Sequence, residues 1–237
     1  MTAVASAVGR FNGFPDETIQ FLLELQAEQS RTWFKAHQAD YLRVCRQPLE
    51  LFVTELCQRL ADVYPGIAEA EPHFFRIQRD TRFSKNKEPY KTNLAADVPI
   101  RPRLDGELEH GLPGLYVSFG LEGEFIGIGA WHMSPAVLQR YRALLDNPRQ
   151  GAQFQKLVDA LLARGCQVEA MEKLKRVPPP YAQDHPRAEL LKHKGLAIMS
   201  QPKENVSGSR RLLDWAEAEL RASAPLIRLL DRALTTT

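Results

Sequence analysis

The sequence predicts an α+β fold, with an antiparallel-rich sheet, an N-terminal helical segment and flanking helices. Three features carry that expectation. Apolar residues repeat at helical spacing through the first third of the chain. The middle alternates apolar and polar residues in short runs separated by turn residues. Helical spacing then returns after Ser134, with one more apolar run near Leu196. Strands that follow one another with short links favour antiparallel pairing, because parallel neighbours need a long crossover.

The elements follow in order. After a flexible start, Pro15 and Asp16 open a helix with Ile19, Leu22, Leu23 and Leu25 at helical spacing. Ser30 is placed to cap a second helix, which carries Trp33, Phe34, His37 and Tyr41. Pro48 suits the first position of a third, where Leu49, Phe52, Val53, Leu56 and Leu60 form a stripe that ends at Tyr64-Pro65-Gly66. Residues 73–79 read as a strand, with Phe75 and Ile77 on one face and Arg76 and Gln78 on the other. Residues 94–100 read as another. Residues 115–121 and 124–131 flank Glu122-Gly123 as a hairpin, and Gly127 and Gly129 within its second strand imply a bulge or a close backbone approach. Ser134-Pro135 and Pro148 each start a helix, the latter ended by Gly165. An extended stretch from Gln167, a short helix after Pro186, a strand over 196–199 and a helical end over 209–234, divided at Pro225, complete the chain.

The run Pro178-Pro179-Pro180 is a candidate boundary, but the strand after it needs sheet partners that precede it. The expected organisation is therefore a flexible N-terminus over residues 1–13 and a single α+β domain over residues 14–234.

Charge excludes little in bulk. Lys and Arg number 31 against 29 Asp and Glu, a net +2, so composition alone favours neither nucleic acid nor an anionic membrane. Cys45, Cys57 and Cys166 are odd in number and outside any CxxC spacing, which suits buried, reduced thiols. Residues 1–10 lack the basic start and long apolar core of a signal peptide, and no run approaches a membrane span. The expected location is cytoplasmic, with no membrane partner.

The stretch with most chemistry runs from Phe75 to Lys91. Six basic residues stand there against Asp80 and Glu88, a local +4, so the remainder of the chain sums to −2. Arginine offers a planar fork suited to phosphate or carboxylate, and lysine adds a point charge. On one straight strand these arms cannot converge; Asp80 and Ser84 are turn-formers that supply a bend. The candidate ligand-binding residues are Arg76, Arg79, Asp80, Arg82, Ser84, Lys85, Tyr90 and Lys91, joined by Lys175 from a second basic cluster. The competing reading makes the same charges structural ion pairs that pin the loop.

Three histidines need weighing. His185 beside Asp184 is a weak candidate general acid or base, since histidine titrates near neutrality, although Asp184 is better placed to cap the helix after Pro186. His37, one turn after Trp33, reads as a packed helix residue. Trp131-His132 end a strand, where ligand contacts occur, with a structural role the expectation.

The segment 75–91 resembles the signature of the uncharacterised bacterial and fungal family called domain of unknown function 2461. The resemblance covers nearly the whole chain. It includes Phe11, Gly13 and Phe14; Arg31, Trp33, Phe34 and His37; Pro113-Gly114 and the strand with Gly127 and Gly129; and Leu174-Lys175-Arg176, Tyr181 and Asp184-His185-Pro186. The sequence departs from the family's pattern where Glu28, Gln29 and Ser30 replace an Asn-rich turn, and where Pro179-Pro180 stand before Tyr181 in place of a glycine. The family carries no established activity, cofactor or catalytic residues, so the resemblance implies no chemistry.

Several enzyme classes find no support. There is no GxxxxGK, HExxH or GxSxG motif, Gly127-Ile128-Gly129 lacks a third glycine at dinucleotide spacing, and the histidines and cysteines show no metal-ligand pattern. No metal and no cofactor are expected. Two readings remain open. One is a pocket protein that binds a phosphorylated or other anionic small molecule, with enzymatic activity left open and Phe83 or Tyr90 stacking on the ligand. The other is a nucleic-acid or protein interaction module using loop 76–91. The near-neutral total favours the first. Oligomeric state is open.

Overall fold

The computed structural model describes residues 9–82, 84–101 and 111–235. Its helices are α1 (Asp16–Glu28), α2 (Arg31–Ala36), α3 (Gln38–Asp40), α4 (Gln47–Leu60), α5 (Pro135–Asp146), α6 (Pro148–Ala163), α7 (Ala188–Leu191) and α8 (Arg211–Thr235). Six strands, β1 (His73–Phe74), β2 (Asn93–Pro99), β3 (Gly114–Gly120), β4 (Gly123–Ala130), β5 (Gln167–Glu169) and β6 (Leu196–Ser200), form one antiparallel sheet in the order β1-β2-β3-β4-β6-β5. The α+β architecture is as the sequence predicts. The strand after the proline run, β6, is inserted between β4 and β5.

The register divides the sheet into two faces. Val98, Leu115, Ile128 and Ile198 stand in one row across the strands, beside Ala96, Val117 and Ile126 in the next, and all are buried. Over this face α4 rests on β2 and α8 on β4, while α5 and α6 pack on α8. The side chains of the alternate residues, among them Asp97, Tyr116, Phe125 and Met199, belong to the other face.

Local expectations hold where a single residue decides the geometry. Ser30 accepts from the Trp33 N–H and Ser134 from the Val137 N–H, which caps α2 and α5. Gly123, at φ +102, turns the hairpin between β3 and β4, and Gly165, at φ +98, follows α6. In α1 the buried stripe is Thr18, Phe21, Leu22 and Leu25, whereas Ile19 and Leu23 are exposed.

Several expectations are corrected. Pro48 stands in the first turn of α4 as expected, but the chain enters that helix from a π-helical turn, Tyr41–Arg46, and not from a loop, and Pro48 is buried. Proline has no N–H for the carbonyl four residues back, which is that of Val44. The buried Thr18 hydroxyl donates to that oxygen instead and ties α1 to the π turn. Thr18→Val, which keeps the shape but leaves the oxygen without this donor, is expected to cost about 1–3 kcal/mol, measured by urea denaturation. An unchanged midpoint would remove this account of the turn.

Pro225 does not divide the last helix. Its ring is exposed, and the stripe Leu220, Ala224, Ile227, Leu230 and Leu234 continues past it, so packing outweighs the lost helical bond. The buried Tyr64 hydroxyl donates to Leu220 O at 2.8 Å in the turn before the proline. Asp184 is exposed and no side chain caps α7. Residues 9–13 fall in the segment expected to be flexible, yet Phe11 is buried in the core and its N–H donates to Glu55 Oε2 at 3.1 Å.

Candidate functional site

The segment 75–91 leaves the edge of the sheet and returns to it. β1 ends at Phe74, but the Phe75 N–H donates to Ala95 O, and Arg79 and Lys91 N–H groups donate to Pro89 O and Ile77 O around a bridge between Gln78 and Tyr90. The strand expected over 73–79 is regular only at its start because its partner changes from β2 to the returning arm of its own loop.

The loop's base is clamped from α1. Gln29 Oε1 accepts from the Tyr90 N–H at 3.0 Å, and its Nε2 donates to Tyr90 O at 3.4 Å. Gln29 caps α1 in the left-handed region, φ 40, a conformation uncommon outside glycine and asparagine. Sequence reasoning missed this residue. The signal was present in the departure at residues 28–30.

Tyr90 is corrected from ligand platform to anchor. It is 4% exposed and stacks on Phe34 with ring centroids 4.7 Å apart. Phe83, the other stacking candidate, lies outside the described residues.

The charges divide into two sets. Asp80 accepts from the Arg82 backbone N–H at 3.2 Å and from its guanidinium at 2.6 Å, and that bond is the main reason its carboxyl titrates below the usual range. Here the ion-pair reading holds. Lys87 Nζ donates to Thr81 O, Lys85 is exposed and Ser84 is half-buried.

Arg76, Arg79 and Lys91, in contrast, come together. Lys91 Nζ stands 5.4 Å from the centroid of the Phe75 ring, and its proton affinity falls below that of an ordinary lysine. Burial is the largest cause, followed by repulsion from Arg76 and Arg79. Arg79 approaches Glu88 at 3.5 Å. Among the described residues no carboxylate lies within ion-pair distance of Arg76 or Lys91. A cavity of about 380 Å³ opens beside the cluster, lined by Arg79, Asp80, Lys91, Thr92, Asn93 and Glu122. Arg76 also borders a wider cleft of about 900 Å³ between the π turn and β1, where Arg43 and Arg46 are paired with Asp40 and Glu50.

Lys175 is not part of this gathering. It is exposed and follows β5, at the far edge of the sheet from β1, about 24 Å away at ordinary strand spacing. His185 is also elsewhere. Its Nδ1 accepts from the Arg187 N–H at 3.0 Å and its Nε2 stands 3.5 Å from Asp146, so both ring nitrogens hold the turn before α7. His37 stacks on Trp33 at 4.1 Å and contacts its carbonyl, as a packed helix residue does. Trp131 and His132 line a cavity of about 620 Å³ on the open face of the sheet, which sequence reasoning did not find. The hint was the pair of glycines in β4.

A family model described as a conserved hypothetical protein, DUF2461, matches residues 17–228, nearly the whole of this architecture. The chain belongs to the DUF2461 family. No curated protein and no solved structure matches it significantly. For this DUF2461 protein the matched span contains both the Gln29 clamp and the basic loop. Among the described residues no helix is long and apolar enough to cross a membrane.

Proposed function

We propose that the protein binds a phosphorylated or otherwise anionic small molecule at the base of the basic loop, through Arg76, Arg79 and Lys91. One observation carries this reading: Arg79 and Lys91 line one cavity with Arg76 near enough to repel Lys91, and among the described residues the one ion pair these three cations make is Arg79 with Glu88, at 3.5 Å. Such neighbours repel, and it is the Gln29–Tyr90 clamp and backbone pairing that hold their segment in place. A bound anion relieves the repulsion, with the guanidinium forks supplying direction and Lys91 a point charge. We place this activity in the cytoplasm, because the three cysteines are unpaired and buried, which suits a reducing compartment.

A thermal-shift series with inorganic phosphate, nucleotides, sugar phosphates and oligonucleotides tests the proposal on the parent, Arg76→Ala and Lys91→Met. At least one anion is expected to raise the Tm of the parent by several degrees and to lose that effect in both variants. Lys91 adds a pH signature. Its folded-state value lies below its unfolded one, so the unfolded chain holds more protons between the two. The unfavourable contribution is present below that window and is relieved as pH rises through it. Lys91→Met is therefore expected to be no less stable than the parent at neutral pH, and the anion effect on the parent to fade as Lys91 deprotonates. An anion shift retained by Lys91→Met, or no shift with any compound, overturns the reading. A steep salt dependence confined to the oligonucleotides would favour an extended nucleic-acid contact instead.

A further inference from the structure

We propose that the open face of the sheet carries a separate site for an organic ammonium cation; this goes beyond the anion site and does not rest on it. The sheet register builds the site. Asp97, Tyr116, Gly127 and Met199 stand side by side across β2, β3, β4 and β6, and Gly114, Gly129, Ala197 and Glu169 form the next row across β3, β4, β6 and β5. Glycine and alanine in the middle of both rows leave the backbone as a floor. Met199 lies across Gly127, where a Cβ would come within 2.4 Å of its sulfur. The resulting cavity, about 620 Å³, is of the size that holds a small organic molecule.

The walls specify the ligand. Phe75, Tyr116 and Phe125 follow one another with centroids 6.0 and 6.1 Å apart, and Trp131, 47% exposed, also lines the cavity. Aromatic faces carry negative potential and attract cations, tryptophan most strongly. Asp97 and Glu169 supply two carboxylates, and no lysine or arginine is found among the described lining residues. Asp97 is fixed by His73, whose Nδ1 lies 2.8 Å from its Oδ1. Lys91, though over the Phe75 ring, lines the other cavity. Rings together with carboxylates, and among the described lining residues no basic group other than the His132 imidazole, suit a positive charge with apolar substituents, such as a quaternary ammonium or an alkylated amine.

Calorimetric titration of the full chain with choline and benzyltrimethylammonium, against the neutral isostere 3,3-dimethylbutan-1-ol, tests this. The cations are expected to bind at least tenfold more tightly than the isostere. Trp131→Ala, a change at an exposed side chain, is expected to weaken the cations about tenfold while leaving the Tm unchanged. Asp97→Asn combined with Glu169→Gln is expected to remove the preference for charge while sparing binding of the isostere. Equal affinity for cation and isostere, or no saturable cation binding at millimolar concentration, overturns the proposal. A phosphate-induced Tm shift that survives in Trp131→Ala would show that the two sites stand or fall separately.

Discussion

Replacing Phe11 with alanine is expected to lower the stability by about 3–5 kcal/mol, although the residue lies in a stretch whose sequence resembles a loose terminus. Phe11 is 1% exposed and meets Phe14 and Phe52 edge-on, with centroids 5.6 and 5.1 Å apart. Its backbone is held as well. The N–H donates to Glu55, and the carbonyl accepts from Arg210, which also binds Glu55 and so joins α4 to the start of α8. The Arg210 bond is the largest cause of the lowered Glu55 pKa. That contribution is present above the ordinary carboxylate range and is lost as pH falls through the lowered folded-state value. Urea denaturation at neutral pH measures the effect, with Ile19→Ala and Leu23→Ala as controls. Those side chains are 41% and 47% exposed, so each control is expected to change stability by about 0.5 kcal/mol or less. A Phe11→Ala value no larger than the controls would mean that the ring is not part of the core.

What was legible in the sequence follows the range of the interaction that decides it. Ser134, Gly123 and Gly165 act on residues two to four positions away, so their caps and turns could be read directly. The pairing of Asp80 with Arg82 is equally local, and it accounts for two of the eight charges from Arg76 to Lys91. The π turn before Pro48 was missed and Pro225 was misread because remote partners decide the outcome: the Thr18 hydroxyl on α1 in one case, and a buried stripe continuing past an exposed ring in the other. Tyr90 has the composition of a stacking platform, and only its distant neighbour Phe34 makes it an anchor. Lys175 joined the candidate list by residue type, yet the sheet order sends it to the opposite edge. The cation cleft was the least legible feature. Tyr116, Gly127 and Met199 become neighbours through two strand pairings, and one of those strands arrives some seventy residues later.

The glycines of that cleft give the second large effect, and they separate backbone strain from side-chain crowding. Gly129→Ala is expected to cost about 2–6 kcal/mol, combining the strain of an unfavourable φ with that of forced overpacking. Gly129 has φ +146, outside the range L residues favour, and an added Cβ would lie 2.1 Å from Leu196 O and 2.8 Å from the Ala197 Cα. Both obstacles are backbone atoms of β6, so relief requires β4 and β6 to part. The uninterrupted register from Ile126 to Ala130 against β6 identifies a close approach, not a bulge, as what this glycine serves. Gly127→Ala should be much milder, about 1–1.5 kcal/mol, because its φ is ordinary and its obstacle is the mobile end of Met199. Thermal unfolding of the two variants ranks them directly, and hydrogen exchange at the Ala197 and Ile198 amides should show β6 loosened only in Gly129→Ala. Gly127→Ala would instead move the Met199 thioether off the floor, so it is expected to weaken cation binding while leaving that protection intact. The reverse order of stabilities, or equal loss of protection in both, would show that space over the floor, and not the backbone contact with β6, sets the requirement for glycine in this strand.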